Sequence, residues 1–159
     1  MARQGVQVVM HNTLDASDYG LLDENTLRPR PNYWAALLWH DLMGTTVLDS
    51  GVPIHAGLHV YAHALKAVPG GTAVLVIDTS RTQPQSIAFP QASDRYTLAA
   101  TAAGELDQNV ELNGTTLALR TDGGLPDRKP VAQPSGIAEF APETITFLAF
   151  AGATNPACK

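Results

Sequence analysis

The chain reads as a mainly β protein in which a strand–loop–helix unit precedes a β-sandwich. Three observations predict this. Short alternating or β-branched runs recur at roughly ten-residue spacing after residue 45, as in a sandwich of short strands. Gly, Pro and Asn punctuate them. Before residue 45 the pattern is different, with one apolar run, a polar stretch and a single helical stripe. We therefore place a domain boundary there, with residues 1–45 as one unit and 46–159 as the sandwich.

Gly5-Val-Gln-Val-Val-Met10 is a short, nearly continuous apolar run, as expected of a strand buried on both faces of a parallel sheet. Residues 11–30 are irregular and polar, with Asp15, Asp18, Asp23 and Glu24. Pro31 suits the first turn of a helix, where its missing N–H costs nothing. Trp34, Leu37, Leu38 and Leu42 form an apolar stripe over three turns, and Gly44 sits where a C-cap glycine belongs. Strands are expected at Leu58–Leu65, Ala73–Asp78, Arg95–Ala99 and Thr144–Phe150. Val110–Leu112 and Thr116–Arg120 flank Asn113-Gly114, a strong hairpin signal. A lone strand plus helix carrying Trp34 and Trp39 cannot bury its own apolar faces, so residues 1–45 either dock on the sandwich or belong to a larger body.

Composition limits the function. The 159 residues are 45% apolar and 16% charged, with a net charge of −5, and the ten Lys and Arg are scattered. Arg28 and Arg30 flank one proline, and Arg128-Lys129 is the only adjacent pair. Nucleic acid is not an expected partner, because phosphate recognition needs a concentrated positive face. A membrane is not expected either, since no run approaches the ~18 apolar residues of a span. No signal peptide is readable behind Met1–Gly5, and the single Cys158 leaves the compartment undetermined.

Three residue groups invite chemical interpretation. His55, His59 and His63 would line up for zinc on a helix, and with it for a small metal hydrolase. They lie instead in strand grammar, where His59 and His63 are roughly 13 Å apart; an outward polar face is expected, with no metal site and no cofactor. Asp15, Asp18, Asp23 and Glu24 hold enough carboxylates for acid/base work. Loop carboxylates before a helix more often accept backbone N–H bonds, and that role is expected here. Tyr33, Trp34 and Trp39 would suit a sugar-stacking platform, although aromatics on one amphipathic helix more often belong to the core.

Taken with its neighbours, the segment Asp18–Gly44 resembles the family 79 glycoside hydrolases, which include heparanases and β-glucuronidases. Val8-Val9-Met10 resembles the final barrel strand of that family, and Asp23-Glu24-Asn25 its D-E-N segment. Pro31-x-Tyr33-Trp34 with Leu38 and Gly44-Thr45 resembles its last helix. Val60-Tyr61, Val110-x-Leu-Asn-Gly114, Leu125-Pro126, Lys129-Pro130 and Ala157-Cys158 follow in the order of its C-terminal sandwich.

The resemblance implies a mainly β fold, a C-terminal β-sandwich preceded by the last β-strand, loop and α-helix of a (β/α)8 barrel. It implies retaining hydrolysis of β-glucuronides by two carboxylates roughly 5 Å apart. Both fall on barrel strands outside this chain, so no catalytic residue is assigned to it. Substrate recognition carries over: Tyr19 matches a tyrosine whose hydroxyl contacts the glucuronate carboxylate, the backbone N–H near Ser17 matches the accompanying amide, and Asn12 lines the same subsite. The implied partners are a glucuronate-containing carbohydrate and a second chain or upstream segment carrying the rest of the barrel. The implied parent enzyme is secreted or periplasmic.

Two departures accompany the match. His11 stands where arginine is common. Cys158 matches a cysteine that is disulfide-bonded in the animal heparanase, but its partner position is Ala64, which points to a bacterial-type enzyme. The resemblance also implies that the sandwich takes strand material from before the barrel, leaving an exposed edge here. The alternative is a stand-alone β-sandwich that binds carbohydrate or serves as a scaffold.

Overall fold

In a computed structural model of the chain, residues 4–6, 8–53, 55–104 and 106–159 are described. Among the described residues one helix, α1 (Pro31–Leu42), precedes ten strands. These are β1 (Met43–Leu48), β2 (Leu58–Leu65), β3 (Thr72–Asp78), β4 (Gln85–Phe89), β5 (Ser93–Ala100), β6 (Val110–Leu112), β7 (Thr115–Thr116), β8 (Val131–Gln133), β9 (Gly136–Phe140) and β10 (Thr144–Phe150). The main sheet runs β1-β2-β3-β10-β5-β6-β7, with β8 also paired to β5, and β4 and β9 form a separate pair. All pairings are antiparallel. The last strand lies at the centre, with Phe147 opposite both Leu75 of β3 and Tyr96 of β5.

Both faces of that sheet are covered, and the period-two alternation of its central strands divides two cores. Leu65, Ala73, Leu75, Leu98, Phe147 and Ala149 turn to one side and pack with Trp34 and Leu38 of α1. Leu58, Val60, Ala62, Val74, Val76, Leu148 and Phe150 turn to the other and pack under Ala138 and Phe140 of β9 and Ile87 and Phe89 of β4. Trp34 and Leu38 are each 2% exposed, and burying such side chains stabilises by about 1.5–3 kcal/mol each. The helix stripe read from the sequence is thus the face that docks on the sheet. Trp34 is core, whereas Trp39 is 38% exposed and sits edge-on to His63.

Arg95 of β5 ties the two-stranded layer to the main sheet. Its Nε donates to Thr97 Oγ1 (2.9 Å), Nη1 to Gln133 Oε1 (2.9 Å) and Nη2 to the Glu139 carbonyl (2.8 Å). The guanidinium lies 5.0 Å from the centroid of the Phe140 ring. Burial lowers its pKa below the ordinary arginine value. Each of β4 and β9 has one outer edge with no strand partner among the described residues.

The hairpin signal forms as expected. Asn113 (φ 50°) and Gly114 (φ 80°) make the two-residue turn between β6 and β7, both in the left-handed region that such a turn requires. Asn113 is also a fastener: its Oδ1 accepts from the Thr97 N–H at 2.9 Å, and its Nδ2 donates to the carbonyls of Arg95 and Lys129, each at 3.1 Å.

Four expectations need correction. The apolar run at residues 5–10 is not a strand in its described part; Val8 is 67% and Met10 87% exposed, and among the described residues no strand pairs with them. The second arm of the hairpin is only Thr115–Thr116, because the chain turns away after Leu117 and closes a turn at Arg120–Gly124.

Gly44 is not a left-handed cap. α1 passes directly into β1 through Met43, whose backbone is already extended. Gly44 is needed because a Cβ there would lie 2.6 Å from the Ala64 carbonyl oxygen. The helix carbonyls are met from β2 and its turn, where Lys66 donates its N–H to Leu42 O (2.9 Å) and its ammonium to His40 O (2.7 Å).

His63, expected on an outward polar face, is buried. Its Nδ1 lies 2.7 Å from the Gly44 carbonyl oxygen, beside the register shift between β1 and β2. The alternation of β2 was legible, but on the face that carries Tyr61 and His63 the helix intervenes: the Trp39 ring sits edge-on to His63, and Tyr61 packs against the core that holds Trp34 and Leu38.

Candidate functional site

Residues 11–30 fold into two stacked turns before α1. The first is closed by the Leu22 N–H on Leu14 O (2.8 Å), with a tighter turn inside it from the Gly20 N–H to Ser17 O (3.0 Å). The second is a small hairpin, with Leu22 bridged to Pro29 and the Asp23 N–H on Arg28 O (2.9 Å). Asp23 organises its tip. One carboxylate oxygen accepts from the N–H of Asn25 (3.1 Å), the N–H of Thr26 (2.8 Å) and the hydroxyl of Thr26 (2.8 Å). Its other oxygen meets Arg30 Nη2 at 3.2 Å. These bonds, led by the Thr26 hydroxyl, hold the Asp23 carboxyl below its usual range, with the Arg30 charge adding a smaller effect. Of the four loop carboxylates, Asp23 thus takes the expected backbone-accepting role.

Tyr19 stands at the crest of the first turn, 58% exposed. Ser17, two residues before it, is half-buried, and its Oγ is buried with no hydrogen-bond partner among the described residues. The fold therefore brings Ser17 and Tyr19 into one tight turn. Asn12 is exposed, and among the described residues no hydrogen bond ties it to either. His11 bonds locally, its Nδ1 lying 3.2 Å from Thr13 O.

Residue types alone do not mark what holds this turn. Gly20 is buried, and a Cβ there would meet the carbonyl oxygens of Leu14, Ser17 and Leu22 at 3.0–3.1 Å. The Arg30 guanidinium donates through Nη1 to the Asp18 carbonyl as well as to Asp23. Asn32 Nδ2 donates to the Gly20 carbonyl at 3.3 Å. The one available signal was the unusual Arg-Pro-Arg-Pro run before the helix.

A concavity of about 340 Å³ opens elsewhere, at the C-terminal end of α1 between Leu38, Asp41, Leu42, Tyr96 and residues 125–128. An ion pair from Arg128 to Asp41 at 2.8 Å crosses it. Burial, followed by the charges of Asp94 and Asp41, raises the Tyr96 pKa above its ordinary value. Among the described residues, no three His, Cys, Asp or Glu side chains are grouped so as to hold a metal ion.

No family model matches the chain, but individual relatives do. It is 32% identical over 148 residues to a baicalin-β-D-glucuronidase of Scutellaria baicalensis, covering 89% of this chain and 28% of that protein. It is 31% identical over 154 residues to the heparanase of Mus musculus, covering 89% of this chain and 29% of that one. Against a hyaluronoglucuronidase of Hirudo nipponia it is 28% identical over 173 residues, covering 99% of this chain and 35% of the relative. The chain thus spans about a third or less of the length of these proteins.

Proposed function

Because the chain belongs to the heparanase and β-glucuronidase family of glycoside hydrolases, we propose that it is the C-terminal portion of a retaining glycosidase acting on β-glucuronides. Residues 1–45 supply the last strand, loop and helix of a (β/α)8 barrel, and residues 46–159 the β-sandwich. A second chain or an upstream segment carries the rest of the barrel, including both catalytic carboxylates. The substrate is a glucuronate-containing glycan, heparan sulfate-like or another. The solvent-exposed run at Val8–Met10 supports this division, being an apolar strand sequence with no sheet around it among the described residues. Ala64, at the position that by resemblance matches the disulfide partner of Cys158 in the animal heparanase, favours a bacterial-type parent; Cys158 is a buried free thiol.

The observation that carries the proposal is the exposed Tyr19 on a braced turn. A carboxylate is well held by a neutral O–H and a backbone N–H, because both donors keep their geometry without a counter-charge. Tyr19 supplies the hydroxyl and the Ser17 region the amide, while Asn12 lines the subsite. Holding one substrate carboxylate provides neither the proton transfer nor the nucleophile of retaining hydrolysis. The isolated chain is therefore expected to bind glucuronate and to turn over nothing.

An aryl β-glucuronide assay and a calorimetric titration with methyl β-D-glucuronide test this together. No turnover is expected, and Tyr19→Phe should weaken binding about fivefold, the worth of one hydrogen bond. Turnover by the chain alone would overturn the fragment assignment. Binding indifferent to Tyr19→Phe would overturn the role of the hydroxyl. The alternative, a stand-alone carbohydrate-binding or scaffold module, draws support from the two cores that the sheet builds without a barrel. It predicts binding of glycans that lack glucuronate.

A further inference from the structure

We propose that Arg30 and Asn32 are positioning residues for Tyr19, presenting its side chain and the turn's backbone to the substrate carboxylate. This rests on the glucuronate-binding role proposed above. The three consecutive peptide groups Asp18–Tyr19, Tyr19–Gly20 and Gly20–Leu21 are each held by a hydrogen bond, the first and third through their carbonyls by side chains from the start of the helix. Arg30 takes the Asp18 carbonyl before it, and Asn32 takes the Gly20 carbonyl after it. The Ser17 carbonyl is held by the Gly20 N–H. Three consecutive constraints therefore fix the peptide planes around a residue whose own side chain stands in solvent.

The Arg30 side chain is 17% exposed and reaches Asp23 with its second terminal nitrogen, so one planar fork spans both turns of the loop. A lysine ammonium is a point donor on a flexible stem and cannot hold the same two acceptors in a fixed geometry. Gly20 completes the brace, since any side chain there meets backbone oxygen on three sides. Neither Arg30 nor Asn32 is required by the core, as both work on a surface loop outside the two apolar clusters. Their purpose is then local order at Tyr19. An unbraced crest would meet the entropy cost of ordering each time it bound a ligand.

The test uses the whole chain, labelled with 15N. In the wild type, the Tyr19 amide should show a rigid order parameter of about 0.85; Arg30→Leu should lower it below about 0.6. Thermal stability should change little, and Arg30→Lys should fall between the two. Titration with methyl β-D-glucuronide should show about five- to tenfold weaker binding in Arg30→Leu and Asn32→Ala. Arg28→Leu, across the proline, should leave both readouts at wild-type values.

An unchanged Tyr19 order parameter in Arg30→Leu overturns the proposal. So does a loss of binding with Tyr19 still ordered, because Arg30 then acts by charge. If Arg30→Leu does not fold, Arg30→Lys and Asn32→Ala carry the same readouts. Loosening at Tyr19 together with no wild-type response to the glucuronide leaves the brace standing and rejects glucuronate as its purpose.

Discussion

Replacing Arg95 with alanine should cut a polar tie from β5 to β9 of the second layer together with two bonds inside the main sheet, to β5 itself and to β8. The side chain donates three hydrogen bonds of 2.8–2.9 Å, to Thr97, Gln133 and Glu139. At about 1 kcal/mol net each, their loss costs about 3 kcal/mol. The contact with the Phe140 ring at 5.0 Å adds about 0.5–1 kcal/mol at a half-exposed site. The Glu139 carbonyl regains water at the sheet edge, which offsets part of this, so the expected loss is about 3 kcal/mol. For a domain of this size that is a fall in Tm of about 6–12 °C. Urea unfolding followed by tryptophan fluorescence measures it, since Trp34 lies in the core on the far side of the sheet. Arg95→Met, which keeps most of the stem, should lose somewhat less, and the Phe140→Leu double-mutant cycle isolates the ring contact. A loss below about 1 kcal/mol for Arg95→Ala would refute the claim that this residue fastens β5 to β8 and β9.

Gly44→Ala should destabilise by about 1–3 kcal/mol, because the new methyl overlaps backbone oxygen and not a movable side chain; a neutral or stabilising result in thermal unfolding would sink the close-approach account. Asp23 should make the second turn acid-sensitive. Its folded pKa lies below the ordinary 3.8, so its contribution is complete above the unfolded value and is lost as pH falls through the folded one. The amide resonances of Asn25 and Thr26 should hold steady down to about pH 5 and move only below the ordinary value. A midpoint above about pH 4.5 would contradict the bonding described.

The strands that alternate or carry β-branched runs were readable because both of their faces are filled locally by pattern, as in Leu58–Leu65 and Thr144–Phe150. Helix α1 was readable from Pro31 and from Trp34 and Leu38 at i, i+4. β1 was hidden because Gly44 has two physical uses, and its proximity to the Ala64 carbonyl lies twenty residues away in sequence. β4 and β9 carry only weak alternation, and each contributes half of a short cover. Residues 5, 6 and 8–10 erred in the other direction, since strand propensity forms no strand where, among the described residues, none is there to pair with. At the candidate site, Tyr19 and Ser17 came from family resemblance, whereas the brace did not. An arginine reaching a carbonyl twelve positions back leaves no periodic trace.

The seamless passage from α1 into β1 at Met43 constrains how this architecture can vary. Inserting one residue there would rotate the whole helix by about 100° relative to the sheet, or else turn every β1 side chain to the opposite face. Either change would pull Trp34 and Leu38 off their seat and swing the Tyr19 crest to a new bearing. Length changes that preserve the fold are thus confined to the turns, and the helix and first strand behave as one inherited part.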